Sequence, residues 1–221
     1  KYMIKYNKIK TIIFDCDGVI LDSNNIKTEA FYEIGKQFSE EAGSRLANYH
    51  IKNGGESRYK KFNYLIENIL KKNSSLEEVE RLSKIFAKIT VDRVLNCTIA
   101  DRIEELRKKT INKKWLVVSG SDQEELRVIF KTRGLYSLFD GGIFGSPDTK
   151  DTILEREFEC GNISNSSLFI GDSITDYKAA KNANMDFIFL SKWSGVTNWT
   201  DFLDDKSLVL DTLGDLITLF D

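Results

Sequence analysis

Asp15 and Asp17 stand one residue apart in Asp15-Cys16-Asp17-Gly18, with Asp22-Ser23 close behind. Two carboxylates so placed can divide labour when their environments differ, one attacking phosphorus and the other handling a proton. Both could also reach one cation, one through its side chain and one through its backbone. An Asp-Gly pair at a strand end is equally an ordinary turn. Ser119-Gly120-Ser121 offers a hydroxyl and free N–H groups where a strand would lead into a helix, which suits a phosphate oxygen or a plain helix cap. Lys150 opens a helical pattern after GSPDT, where a cation opposes the helix dipole and so suggests an additional role. In GDSITD, Asp172 and Asp176 supply hard oxygen donors of the kind that suit magnesium, in a context that also fits Asp-Ser helix capping.

Brought to one point, Asp15, Asp17, Asp172 and Asp176 would repel one another and stay partly protonated. A divalent cation together with Lys150 would neutralise them and leave room for a phosphate dianion. Mg²⁺ is therefore the expected cofactor.

The elements that must position these residues are legible in the apolar runs. Ile9–Phe14, the WLVVSGS stretch from Trp115 and the SLFIGDS stretch from Ser167 each read as a buried strand breaking into polar and glycine residues. Gly142–Phe144, Phe187–Leu190 and Leu208–Leu210 are further strand candidates. Helical patterns lie between them at Ile99–Lys109, Asp122–Arg133, Lys150–Phe158, Asp176–Asn182 and Leu213–Phe220, the second with a capping box in Ser121 and Glu124. This alternation predicts an α/β fold, a doubly wound parallel sheet with a Rossmann-like core. Ligands of such sheets bind beyond the strands' carboxyl ends, where every cluster named above falls.

From about Asn24 to Leu95 the alternation stops. Four helical patterns follow, at about 25–38, 40–48, 57–71 and 76–95, the last opened by Ser75 with Glu78. The expected organisation is a catalytic core of residues 1–22 and 96–221, interrupted after its first strand by a helical cap domain at 23–95.

A net charge of −2 gives no electrostatic reason to expect nucleic acid as a partner, and the Lys60–Lys61 and Lys71–Lys72 pairs beside helical patterns read as solvated helix faces. No stretch has the ~18 apolar residues of a membrane span. The N-terminal KYMIKYNKIK lacks an apolar secretory core, and the three cysteines are odd in number without CxxC spacing, so a reduced, cytoplasmic compartment is expected.

In this order the four clusters resemble the motifs of haloacid dehalogenase superfamily phosphatases, in the subgroup of β-phosphoglucomutase and phosphoglycolate phosphatase. FDCDGVILDS resembles the first motif, VVSGS the second, Lys150 the third and GDSITD the fourth, and the helical insertion sits where that subgroup carries its cap. AAKNANM lacks a glycine frequent after the last motif, and GSPDTKDTIL lacks the usual second proline; neither departure touches the chemistry. The resemblance implies that Asp15 attacks phosphorus and that Asp17 protonates the leaving group and then activates water. It further implies that the Asp15 side chain, the Asp17 carbonyl and Asp172, with Asp176 direct or through water, hold Mg²⁺. Ser119, Gly120 and Lys150 would grip the phosphate.

Asp17 argues against dehalogenation, because the resembling dehalogenases lack it. The expected activity is hydrolysis of a small phosphomonoester, a phosphatase acting on a sugar phosphate or sugar-linked phosphoalcohol. The extended first motif and the NGGESR loop also resemble phosphatases of bacterial surface-carbohydrate pathways. A phosphosugar mutase and a non-catalytic binding module are the alternatives. Asn53-Gly54-Gly55-Glu56-Ser57-Arg58 resembles the cap specificity loop, making Arg58, Gly55 and Ser57 candidate substrate contacts; a solvent-facing Arg58 is the bland alternative. His50, the only histidine, is expected to pack rather than to touch substrate. A monomer or weak dimer is expected.

Overall fold

The computed structural model describes residues 6–205 and 207–220, so the reading of KYMIK falls outside the described residues. Six strands form one sheet in the order β3-β2-β1-β4-β5-β6, every neighbouring pair parallel. They are β1 (Thr11–Phe14), β2 (Lys114–Asp122), β3 (Gly142–Ser146), β4 (Ser167–Gly171), β5 (Asp186–Leu190) and β6 (Leu208–Leu210).

Successive residues of a strand face opposite sides, and the apolar runs fill both. Ile12, Phe14, Trp115, Val117, Leu168 and Ile170 join Leu106 of α5 (Ile103–Lys109) and Leu126 and Phe130 of α6 (Gln123–Thr132) on one side. Ile13, Leu116, Val118, Phe169, Phe187 and Phe189 join Ile153 of α7 (Lys150–Glu159) and Ala179 of α8 (Ile174–Asn182) on the other. A sheet with both faces covered in this way is the doubly wound arrangement. Strand order reverses between β1 and β4, which places the ligand crevice at their carboxyl ends.

Between β1 and β2 lies a helical unit: α1 (Asn24–Lys36), α2 (Glu40–Lys52), α3 (Arg58–Tyr64), a π-helical turn (Leu65–Ile69) and α4 (Leu76–Asn96). Its core is its own, built from Ile34, Leu46, Leu65, Leu82 and the tilted and edge-on rings of Phe31, Phe62 and Phe86. Ser39, Ser57 and Ser75 cap α2, α3 and α4 by accepting from Ala42, Lys60 and Glu78 N–H groups. The chain leaves and re-enters the core at one place: Asp22 N–H donates to Thr98 O at 3.0 Å and Ala100 N–H to Ile20 O at 2.8 Å.

Some expected elements shift. The third helical pattern becomes a short α-helix continued as a π turn, and Leu213–Phe220 is a 3₁₀ helix. The Ile99–Lys109 pattern begins late, because Ile99 pairs with Leu21. Ser121 does not cap α6; Asp122 does, accepting from Glu125 N–H at 3.0 Å, while β2 runs on through Ser121. The Ser121 hydroxyl is engaged elsewhere. No helix among the described residues is long and apolar enough to cross a membrane.

Candidate active site

Asp15 ends β1, its N–H donating to Ile170 O at 2.9 Å, so its side chain emerges at the switch point, 2% exposed. Gly18 follows with φ +76°, a turn that favours glycine for a second reason: a Cβ there would lie 2.1 Å from Asp172 Oδ2. The turn returns the chain so that Asp17 also reaches the crevice. Asp172 leaves β4, and Asp176 sits in the first turn of α8 in a capping box with Ser173. Capping and site chemistry thus share one residue, Asp176 Oδ2 accepting from Ser173 Oγ at 2.6 Å while its other oxygen takes Lys150 Nζ. The buried Lys150 Nζ also lies 3.0 Å from Asp15 Oδ1, which explains a cation at a helix start.

Asp15, Asp172 and Asp176 bring carboxylate oxygens within 4.8 Å of one another, all three buried. Burial, then the neighbouring Asp176, push the Asp15 carboxyl up to about 7, with Lys150 opposing. Burial, then Asp176 and Asp15, push Asp172 well above the usual carboxylate range. Burial disfavours the Lys150 ammonium, but Asp15 and Asp176 outweigh it and hold that cation firmly protonated. One lysine among three buried carboxylates leaves an excess of negative charge on hard oxygen donors. That set fits a small divalent cation.

Asp17 is held by a different set. It accepts from Ser23 Oγ at 2.5 Å, Ser121 Oγ at 2.7 Å and Lys27 Nζ at 2.6 Å, and Lys27 Nζ also reaches Ser121 Oγ at 2.5 Å. Burial alone would raise the Asp17 carboxyl; Lys27 and these hydrogen bonds win, holding it well below the usual range. The two aspartates of the first cluster therefore occupy opposite environments. Ser119, 1% exposed, accepts from Ser121 N–H at 3.1 Å and so shapes the segment beside them.

The helical unit lies directly on this crevice. A Cβ on Gly120 would fall 2.0 Å from Gly55 O, so two backbones meet where the Ser119-Gly120-Ser121 segment of β2 touches the Asn53–Arg58 loop. Arg58 is not solvent-facing. It is 6% exposed, donates to Glu125 Oε2 of α6 at 2.8 Å and lies 4.8 Å from the Phe86 ring. Ser57 is spent on capping α3. His50 packs against the Phe31 ring at 4.8 Å, and its Nδ1 lies 2.9 Å from Lys61 Nζ. The cavity, about 50 Å³ and partly open to solvent, is lined from both sides, by Asp15, Asp17, Gly120 and Asp172 and by Phe31, His50, Arg58 and Lys61.

Sequence reasoning missed four of these residues. Ser121 was read as a cap and Lys61 as part of a solvated helix face, although it is 2% exposed; Asn24, which donates to Asp172 Oδ2 at 2.7 Å, and Lys27 went unnoticed. For Lys27 a signal existed. It is a cation in the first turn of α1, which has no acidic residue there, the same dipole mismatch that singled out Lys150.

A family model for haloacid dehalogenase-like hydrolases matches residues 9–184, and the chain belongs to that family. Similar folds occur in solved structures. β-Phosphoglucomutase from Clostridium difficile superposes with TM-score 0.74 at 21% identity, over 96% of this chain and 97% of that one. A candidate phosphoglycolate phosphatase from Lactobacillus delbrueckii subsp. bulgaricus gives 0.69 at 21%, over 96% and 98%. A haloacid dehalogenase-like hydrolase from Streptococcus pneumoniae gives 0.71 at 16%, over 96% and 99%. No curated protein matches the chain.

Proposed function

We propose that this hydrolase is a phosphatase that cleaves a small phosphomonoester through an aspartyl-phosphate on Asp15. The observation that carries the reading is the separation of two adjacent acids. Asp15 sits against Lys150 among metal-suited carboxylates, whereas Asp17, two residues on, belongs to Lys27, Ser23 and Ser121. A nucleophile and a proton carrier need separate settings, and Asp17, held ionised by Lys27 in the empty site, must take up its proton as the substrate phosphate brings negative charge beside it.

Asp15 attacks phosphorus, and the bond to the leaving oxygen breaks as that oxygen takes a proton from Asp17. Water then attacks the same phosphorus and gives its proton to Asp17; the bond to Asp15 breaks and inorganic phosphate leaves. Lys150, Ser119 and the N–H groups around Gly120 are positioned to hold the transferring oxygens, where charge stabilisation contributes most. Asp15, Asp172 and Asp176, with the Asp17 carbonyl, would hold Mg²⁺, which when bound shields the carboxylates and polarises the phosphoryl group.

The helical unit at residues 23–95 acts as a cap in this reading. A partly open cavity of about 50 Å³ has room for on the order of four waters, which favours a small substrate that the cap closes over. A sugar phosphate or sugar-linked phosphoalcohol fits that requirement, and two of the similar proteins carry names of phosphoester chemistry.

The test is phosphate release from p-nitrophenyl phosphate with Mg²⁺. The natural chain should release phosphate stoichiometrically without a bisphosphate primer, which separates it from a mutase. Asp15→Asn should lose at least about a hundredfold in kcat, since an amide cannot attack phosphorus. A smaller loss would remove Asp15 from the nucleophile's role.

A further inference from the structure

Three cations line the cleft, and two are neutralised. Lys27 lies 2.6 Å from the Asp17 carboxylate, and Arg58 lies 2.8 Å from Glu125. Lys61 is 2% exposed and makes no ion pair among the described residues. Its Nζ lies 2.9 Å from His50 Nδ1 and 5.4 Å from the Phe31 ring centroid. The acid nearest in sequence, Glu56, is taken by Lys60 and by the Tyr49 hydroxyl. A buried ammonium without a counter-ion is costly, so such a group loses its proton more readily until an anion supplies the missing charge.

Its neighbours deepen the deficit. Burial, then the Lys27 ammonium, push Lys61 down to about 7, with Glu56 and Asp17 opposing and Lys150 adding repulsion. His50 gives no compensating charge. Burial, then Lys61 and Lys27, hold its imidazole well below its usual range, so it faces Lys61 as a neutral ring.

We propose that Lys61, oriented by His50, binds a carboxylate on the end of the substrate away from its phosphate, so that the natural substrate is an acidic phosphomonoester. Lowered to about 7 in the empty cleft, Lys61 regains its full charge when one carboxylate pairs with it, and a single charge facing a neutral imidazole favours a carboxylate over a second phosphate dianion. This rests on the phosphatase reading of the same cleft, and transfers the distal contact from Arg58, whose guanidinium is committed to Glu125. Lys61 is a specificity residue in this scheme and takes no part in bond breaking.

Matched esters that differ only at the far end test it. 3-Phosphoglycerate is compared with glycerol 3-phosphate, and 6-phosphogluconate with sorbitol 6-phosphate, two lengths of the same acid-for-alcohol exchange. Glucose 1,6-bisphosphate against glucose 6-phosphate serves as the dianion arm. For each, kcat/KM is measured with Mg²⁺, and binding is measured by calorimetry without divalent metal.

The natural chain should prefer the acid in at least one pair by about tenfold to a hundredfold, the range of a charge-assisted contact. Lys61→Met should bring that ratio to about one, and Lys61→Arg should keep part of it. No acid preferred at either length, a preference surviving in Lys61→Met, equal losses on acid and alcohol, or preference for the bisphosphate alone would each overturn the assignment. If no ester is hydrolysed yet calorimetry shows an acid preference that Lys61→Met removes, the phosphatase reading falls and the Lys61 site stands.

Discussion

Mg²⁺ should stabilise this protein more at neutral than at acid pH. An aspartate in an unfolded chain titrates near 3.9, whereas burial beside Asp176 lifts Asp15 up to about 7. A carboxyl raised in the fold lends stability that is fully present below about pH 4 and is lost as pH climbs through about 7. The cost of ionising Asp15 in the metal-free fold is bounded at about 4 kcal/mol, and screening makes about 2 kcal/mol a working value. A cation at the cluster opposes that loss, and it competes with protons for the same oxygens. For a chain of this size, 2 kcal/mol is about 4–8 °C in Tm. Differential scanning calorimetry at about pH 5 and about pH 7.5, with and without excess Mg²⁺, reads the effect as a difference of differences. The Mg²⁺-induced rise should be several degrees larger at the higher pH, and Asp172→Asn should abolish most of it. An equal rise at both pH values, or one untouched by Asp172→Asn, would refute the assignment of the cluster as a metal site.

Two further outcomes follow from the contacts around Asp17 and Gly120. Lys27→Met should lower kcat by about ten- to hundredfold, the range of a lost charged hydrogen bond. It should also move the Asp17 limb of the pH–kcat profile to higher pH, because Lys27 holds that carboxyl down; an unmoved profile would uncouple Lys27 from Asp17. Gly120→Ala, whose methyl would fall 2.0 Å from Gly55 O, should keep the cap from seating. Its kcat/KM should drop about a hundredfold, the effect of small misplacement at a reacting centre, with Tm changed by only a few degrees; full activity would show that the two segments need not meet.

The parts of the site legible in the sequence were those where an apolar run breaks. Asp15 and Asp172 directly follow β1 and β4, and Ser119 stands where β2 leaves its register with β3, each at the close of an apolar run, so strand and site are marked by one transition. The Ser121 capping box failed because a local pattern cannot register a partner 104 residues away, and the Asp17 carboxylate took the hydroxyl. Lys61 was misread for a related reason. Its pattern is that of any lysine on a helix, and the Phe31 ring and His50 beside it come from other helices. Arg58 was singled out by its loop, but Glu125, 67 residues on, decides where its charge goes. The Leu65–Ile69 π turn and the 3₁₀ helix at Leu213–Phe220 share their apolar spacing with α-helices, which hid them.

The paired segments at Ile20–Asp22 and Thr98–Ala100 bear on how such a chain can change over time. Everything between them leaves the core and returns to it through two backbone hydrogen bonds side by side. The entropy of closing a loop grows only as the logarithm of its length, about 0.6 kcal/mol for each doubling. The sheet is therefore almost indifferent to how much sequence is inserted at that point, provided the inserted stretch buries its own apolar surface, as Phe31, Phe62 and Phe86 do. Recombination that exchanged the whole stretch between Asp22 and Thr98 would leave the strand order, the carboxylate cluster and Lys150 in place. It would replace, in one genetic event, Lys27, His50, Arg58 and Lys61, the basic side chains that line the cavity from the helical unit.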